Sequence, residues 1–181
     1  MSLRLVAAVA ILVLAAQGAA AQPAQQPYAG METRPIKALS EQEIAGLRTG
    51  RGMGLALAAE LNGYPGPRHV LELADRLGLS DEQRRSVKAL FDEMTAEAVE
   101  LGTKLIEREA HLDGLFAART ISQDSLSAAT AGIGEVQAEL RKAHLKYHLL
   151  TAAMLTPHQV QLYSQLRGYA RGEHHRRHHP N

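Results

Sequence analysis

Two histidines in the C-terminal third of the chain have the residue type and the spacing for metal chemistry. His144 and His148 are four residues apart, so on a helix they lie on one face, where two imidazole nitrogens can bind one ion. If the chain folds back near residue 120, Glu93 and Glu97 come level with them. This mixture of nitrogen and oxygen ligands would suit Zn, Ni or Co. The alternative is a solvated helix face, where such spacings are common.

The sequence offers little for catalysis. It contains no cysteine, no serine in a Gly-x-Ser-x-Gly turn and no His-Glu-x-x-His motif, so we expect that the protein is not an enzyme and needs no obligatory cofactor.

Residues 172–181 are rich in histidine and arginine with nothing apolar to bury, which predicts a disordered tail. That tail would either chelate a metal loosely or increase solubility.

The first 21 residues have the pattern of a secretory signal peptide. Arg4 precedes an apolar run at residues 5–16, and alanines at positions 19–21 form a small-residue cleavage site. The run is shorter than the roughly 20 residues that a transmembrane helix needs, although an uncleaved anchor is the alternative. Cleavage before Gln22 would deliver the chain to a bacterial-type periplasm.

Charge and cysteine content narrow the possible partners and the source of stability. The chain has 20 basic and 19 acidic side chains, so it lacks the basic surface that a nucleic-acid backbone requires. An exported protein without cysteine has no disulfides, although its compartment would allow them. Its stability must therefore come from helix packing.

The mature chain is predicted to be all-α and to form one domain. Residues 22–38 are rich in Pro, Gln and Ala and are expected to be flexible. A capping box at Ser40 predicts a helix to about residue 62, weakened or broken by glycines at positions 50, 52 and 54, which would serve close packing or a hinge. A turn rich in Gly and Pro then leads to a short helix at about residues 68–77.

Two long helices are predicted to form an antiparallel hairpin. A capping box at Ser80 begins the first long helix, and the second long helix follows a turn at residues 119–122. A capping box at Thr156 begins the last helix, which extends to about residue 169. Apolar residues recur in steps of three and four, as in a coiled-coil seam, except that Arg108 occupies one position of the first seam. The first seam follows Val87, Phe91, Met94, Ala98, Leu101, Leu105, Leu112 and Leu115. The second follows Leu126, Ala129, Ile133, Val136, Leu140, Ala143, Tyr147, Leu150 and Met154.

Two copies of one motif bracket this hairpin. The motif residues are Leu79, Ser80 and Gln83 in the first copy and Leu155, Thr156 and Gln159 in the second. Behind a signal peptide, the arrangement resembles the Spy/CpxP family, which is built on a repeated LTxxQ motif and is related to periplasmic heavy-metal resistance and sensor proteins. The similarity covers about residues 73–169, within a helical domain expected at residues 39–171.

The resemblance implies a homodimer of bent helical hairpins. Its concave, cradle-like face would hold unfolded or misfolded periplasmic proteins without ATP. Client contacts are then expected from apolar and basic side chains of the hairpin, namely Leu90, Ile106, Phe116, Leu149, Arg84, Arg85 and Lys88. The alternative is that the apolar members only seal the dimer and the N-terminal helices.

The resemblance also leaves a second function open. The related sensors have a His-x-x-x-Met pattern ahead of the second motif copy, and Tyr147 and Thr151 occupy those positions here. A metal ion would instead be bound by His144 and His148, and its presence passed to a membrane sensor protein. The sequence thus predicts either an envelope-stress chaperone or a heavy-metal-binding resistance or sensor protein.

Overall fold

The structure, a computed structural model, describes residues 26–169. The predicted signal peptide and the predicted tail at residues 172–181 lie outside this range. Within it the chain is all-helical, as predicted, and no helix has the length and hydropathy of a membrane span. A 3₁₀ helix at Met31–Thr33 precedes α1 (Glu41–Arg48), α2 (Leu57–Glu60), α3 (Pro67–Glu72), α4 (Asp81–Ala117), α5 (Gln123–Ala153) and α6 (Pro157–Leu166).

Capping boxes begin four of these helices. In each box a hydroxyl oxygen accepts a hydrogen bond from a backbone N–H three residues on, which satisfies one of the free donors at a helix start. The predicted boxes at Ser40, Ser80 and Thr156 are confirmed. A fourth, formed by Ser122 and Ser125, begins α5. Sequence analysis missed it because serine replaces the usual Glu or Gln at the third position.

The long helices α4 and α5 pack antiparallel as the predicted hairpin. The second seam is correct through Tyr147 and wrong beyond it, because Leu150 and Met154 are exposed. His144, His148 and Thr151 are buried in their place. The reason is that segments before α4 cover this side of α5, so the buried face is wider than a two-helix seam.

Glycines shape the segment that covers this side of α5, residues 49–66 between α1 and α3, hereafter the covering segment. The predicted helix to residue 62 ends at Arg48, and the break continues through Gly50 and Gly54, which both have positive φ (64° and 87°). A Cβ atom at Gly50 would lie 3.0 Å from the backbone oxygen of Thr95 on α4. The glycines therefore allow close backbone packing on the hairpin. The next helix, α3, ends at Glu72 and turns follow, earlier than predicted.

The segment before α1 differs from the flexible segment predicted at residues 22–38. From residue 26 the chain forms turns and the 3₁₀ helix, and Ile36 is buried. The backbone N–H and the ammonium group of Lys37 both donate to the carboxylate of Asp113 on α4, at 3.2 Å each. One apolar anchor and one ion pair thus attach a segment of otherwise polar composition to the hairpin.

Candidate metal centre

The two predicted histidines lie beneath the covering segment, near the end of α5. His144 is 3% exposed and His148 is 9% exposed. A Cβ atom at Gly52 would lie 3.5 Å from Nδ1 of His144, and one at Gly66 would lie 2.7 Å from Nε2 of His148. The absence of a side chain at Gly66 therefore lets the backbone close over His148, and Gly52 lies within ordinary contact distance of His144. The pair is buried and not part of a solvated helix face.

A cavity of about 280 Å³ adjoins the histidines. It lies between the covering segment and the hairpin, so α4, α5 and the residues before α4 all contribute to its wall. The side chains of interest in that wall are His144, His148, His69, Glu60, Met53 and Met94. The volume is sufficient for an ion or a few water molecules.

His144 has an unsatisfied nitrogen in this environment. Its Nε2 is buried and has no hydrogen-bond partner among residues 26–169. Burial lowers the pKa of His144, and the neighbouring His148 lowers it further, so the imidazole is neutral near pH 7. A buried polar atom without a partner costs about 1–3 kcal/mol. A metal ion is a partner of the right kind, because metals bind neutral imidazole.

His148 has the orientation of a metal ligand. Its Nδ1 lies 2.7 Å from the backbone oxygen of Tyr64. A carbonyl oxygen only accepts, so Nδ1 carries the hydrogen and Nε2 carries the lone pair. Metal-binding histidines commonly have this arrangement, in which a carbonyl or carboxylate fixes the tautomer and the ring orientation.

The carboxylate of Glu60 lies on the Nδ1 side of His148. One carboxylate oxygen accepts from the backbone N–H of Gly66 at 3.3 Å and lies 3.7 Å from Nδ1 of His148. The other accepts from the hydroxyl of Tyr163 at 2.5 Å and lies 3.5 Å from Nε of Arg167. Sequence analysis missed Glu60, since its burial depends on three segments far apart in the chain. No local pattern distinguishes it from a surface glutamate.

The predicted glutamate ligands are wrong. Glu97 accepts from the ammonium of Lys146 at 2.6 Å and from the hydroxyl of Tyr147 at 3.0 Å, and the Lys146 bond holds its pKa below the usual value. Glu93 is exposed. Among residues 26–169, no three His, Asp or Glu side chains are close enough to share an ion. The error arises because α5 turns Lys146 and Tyr147, and not the histidines, toward Glu97.

The predicted client-contacting side chains do not form one surface. Leu90 is buried against Met94 and Tyr147, and Ile106 is partly buried on the hairpin core. Phe116 and Leu149 are each 55% exposed, but they lie at opposite ends of the hairpin.

The basic candidates are mostly paired within the chain. Arg84 binds Asp75 and Lys88 binds Asp92, both at 2.7 Å. Arg85 is exposed. Two of the three cations thus have intramolecular partners that a client would have to displace.

The two motif copies meet at the open end of the hairpin. Leu79 and Leu155 belong to one apolar core cluster. The amide of Gln83 donates to the Gln159 side-chain oxygen at 2.9 Å, and the amide of Gln159 donates back at 3.1 Å. Sequence analysis identified these residues as helix caps and missed that they also join α4 to α6.

Comparison with known proteins gives one family match. A family model described as heavy-metal resistance matches residues 52–161, from the covering segment to α6. No curated protein and no solved structure matches the chain. The family match covers more than half of the 181 residues. It includes His144 and His148, and also the motif residues Gln83 and Gln159. The chain therefore belongs to the heavy-metal resistance family, whose helical proteins are of the Spy/CpxP-like kind.

Proposed function

We propose that this protein binds a transition-metal ion through His144 and His148 as part of a periplasmic response to heavy metals. The observation that supports the proposal most strongly is the buried Nε2 of His144, which has no partner among residues 26–169, in a side chain that lines a cavity together with His148. The periplasmic location rests on the predicted signal peptide. The function is binding and not catalysis, and the bound state would be passed to a membrane sensor protein.

Each part of the pocket has a role in binding. The low pKa of His144 leaves its imidazole neutral, so little proton release accompanies metal binding at pH 7. The hydrogen bond to Tyr64 orients His148. Glu60 connects His148 to Tyr163 and Arg167, at the C-terminal end of the described chain. An ion at the histidines would thereby affect the packing of α6.

Thermal unfolding of the purified protein tests this proposal. Zn, Ni, Co or Cu(I) is added after treatment with chelator, and at least one should raise the melting temperature, because a ligand that binds only the folded state stabilises it. The His144→Ala/His148→Ala variant should lose this rise. His111→Ala/His158→Ala, at two exposed histidines, is the matched control and should keep it. An equal rise in both variants would overturn the proposal.

A second function, ATP-independent binding of unfolded proteins by a homodimer, is favoured by an apolar surface at the end of α5. Leu149, Leu150 and Met154 are exposed beside a groove of about 540 Å³ that Leu155 and Val160 line. Aggregation of a denatured client, measured with chelator present, tests this function. Suppression that is lost in a Leu149→Ser/Leu150→Ser variant would support it, and absence of suppression by the wild type would contradict it.

A further inference from the structure

The donors that remain available in the histidine pocket are all uncharged. Both oxygens of Glu60 already accept hydrogen bonds. His69 also lines the cavity, but its side chain is 35% exposed and its Nδ1 is paired with Glu72 at 2.7 Å. Among residues 26–169, the buried donor side chains of the cavity wall are the imidazoles of His144 and His148 and the thioether of Met94, and a second thioether, that of Met53, is more exposed.

The thioethers come from opposite sides of the cavity. Met94 lies on α4, is 7% exposed, packs against Tyr147 and lines the cavity with His144 and His148. Met53 lies in the covering segment and is 47% exposed. Its φ of 40° is in the left-handed region, which a residue with a side chain rarely adopts. Met94 is therefore the inner thioether of the pocket, whereas the sulfur of Met53 lies against Gly46 of α1.

The charge of the pocket restricts which ion it suits. A divalent ion among neutral ligands would bury two positive charges, and burial of charge without a counter-charge is strongly unfavourable. The carboxylate that lines the cavity, that of Glu60, lies on the Nδ1 side of His148, away from the ligand nitrogen, and faces Arg167. A monovalent ion halves the charge that must be buried.

We propose that the site selects a soft monovalent ion, Cu(I) or Ag(I), with His144, His148 and Met94 as ligands. This inference rests on the proposed function and specifies its metal. The thioether ligand favours Cu(I), because imidazole suits Cu, Zn and Ni alike and only the soft sulfur selects among them. It replaces the sequence-based expectation of Zn, Ni or Co, which depended on the two glutamates that lie elsewhere.

Competition titration tests the inference, with Ag(I) as the redox-inert probe and Cu(I) measured under reducing, oxygen-free conditions. All variants carry His→Ala changes at positions 174, 175, 178 and 179, so that the tail histidines do not contribute. Met94→Leu keeps the side-chain volume but removes the sulfur. It should weaken Ag(I) binding at least about tenfold, the lower limit of the loss seen when even an outer-shell partner is removed. Met154→Leu, at an exposed methionine outside the pocket, is the control.

Sulfur and nitrogen ligands also differ in X-ray absorption spectra of the Cu(I) form. We expect one sulfur neighbour in the wild type and none in Met94→Leu. Equal Ag(I) affinity of wild type and Met94→Leu would overturn the inference, as would tighter binding of Zn than of Ag(I). The proposed function would survive either result if binding still required His144 and His148, and it would fail if their removal had no effect on any metal.

Discussion

Two buried polar clusters at the open end of the hairpin differ in how well their groups are satisfied. In the Gln83–Gln159 pair both amides exchange hydrogen bonds and also cap their own helices. In the His144–His148 pair one imidazole nitrogen has no partner among the described residues, and both rings line a cavity. The consequences differ: the amides join α4 to α6, and the histidine pair keeps a nitrogen that the described fold does not use.

The largest effect on stability is expected at the amide pair. Gln159→Ala removes the bonds to Gln83 and to the backbone of Thr156, and it leaves the Gln83 amide with its bond to the backbone oxygen of Met154. We expect the free energy of unfolding to fall by about 3 kcal/mol, since several hydrogen bonds of a buried amide are lost together. Urea unfolding measures it. Gln161→Ala, at an exposed position of the same helix, should change it little; equal effects would show that the amide pair is not structural.

The next largest effect is expected at the carboxylate behind His148. Tyr163→Phe removes the hydroxyl that donates to Glu60 while keeping the buried ring. A hydrogen bond to a charged group contributes about 1.5–3 kcal/mol, so a stability loss of about 2 kcal/mol should appear in urea unfolding. Tyr28→Phe, at an exposed tyrosine, is the control. No loss in Tyr163→Phe would mean that Glu60 does not depend on this bond.

How much of each cluster could be predicted depends on whether its signal is local. Capping boxes and apolar periodicity are local, so the starts of α4 and α6 and the antiparallel hairpin were predicted correctly. The reciprocal amide bonds join residues 76 positions apart and have no sequence signature. The histidine pair was identified from its spacing, but the two glutamates predicted to complete its site, Glu93 and Glu97, lie elsewhere. Its burial by Gly52 and Gly66 depends on how a non-helical segment folds over α5, which no periodicity encodes.

A smaller effect is expected at the cap of α6. Thr156→Ala removes the hydroxyl that accepts from the backbone N–H of Gln159, at 3.2 Å, and leaves the amide pair in place. Loss of such a cap costs about 1 kcal/mol. Thermal unfolding should show this decrease, and Thr156→Ser should retain most of the stability. A loss as large as that of Gln159→Ala would mean that cap and amide pair act as one unit.

The smallest effect is expected where the buried group is unsatisfied. His144→Leu replaces an imidazole whose Nε2 has no partner, so stability at pH 7.5 should be unchanged or slightly higher. At lower pH the free energies of unfolding of wild type and His144→Leu should differ, because burial lowers the pKa of His144 in the folded wild type. The unfolded chain then takes up the proton first, and stability falls as the pH drops through the unfolded value of about 6.5.

His144→Leu removes this contribution, so its stability should fall less between pH 7.5 and pH 5.5 than that of the wild type. His111→Leu, at an exposed histidine of α4, is the matched control for urea unfolding at both values. A large loss in His144→Leu at pH 7.5 would show that the imidazole is a structural group like the glutamine amides. A stable variant that no longer binds metal would instead show that the unsatisfied nitrogen is kept for its ligand, at the expense of fold stability.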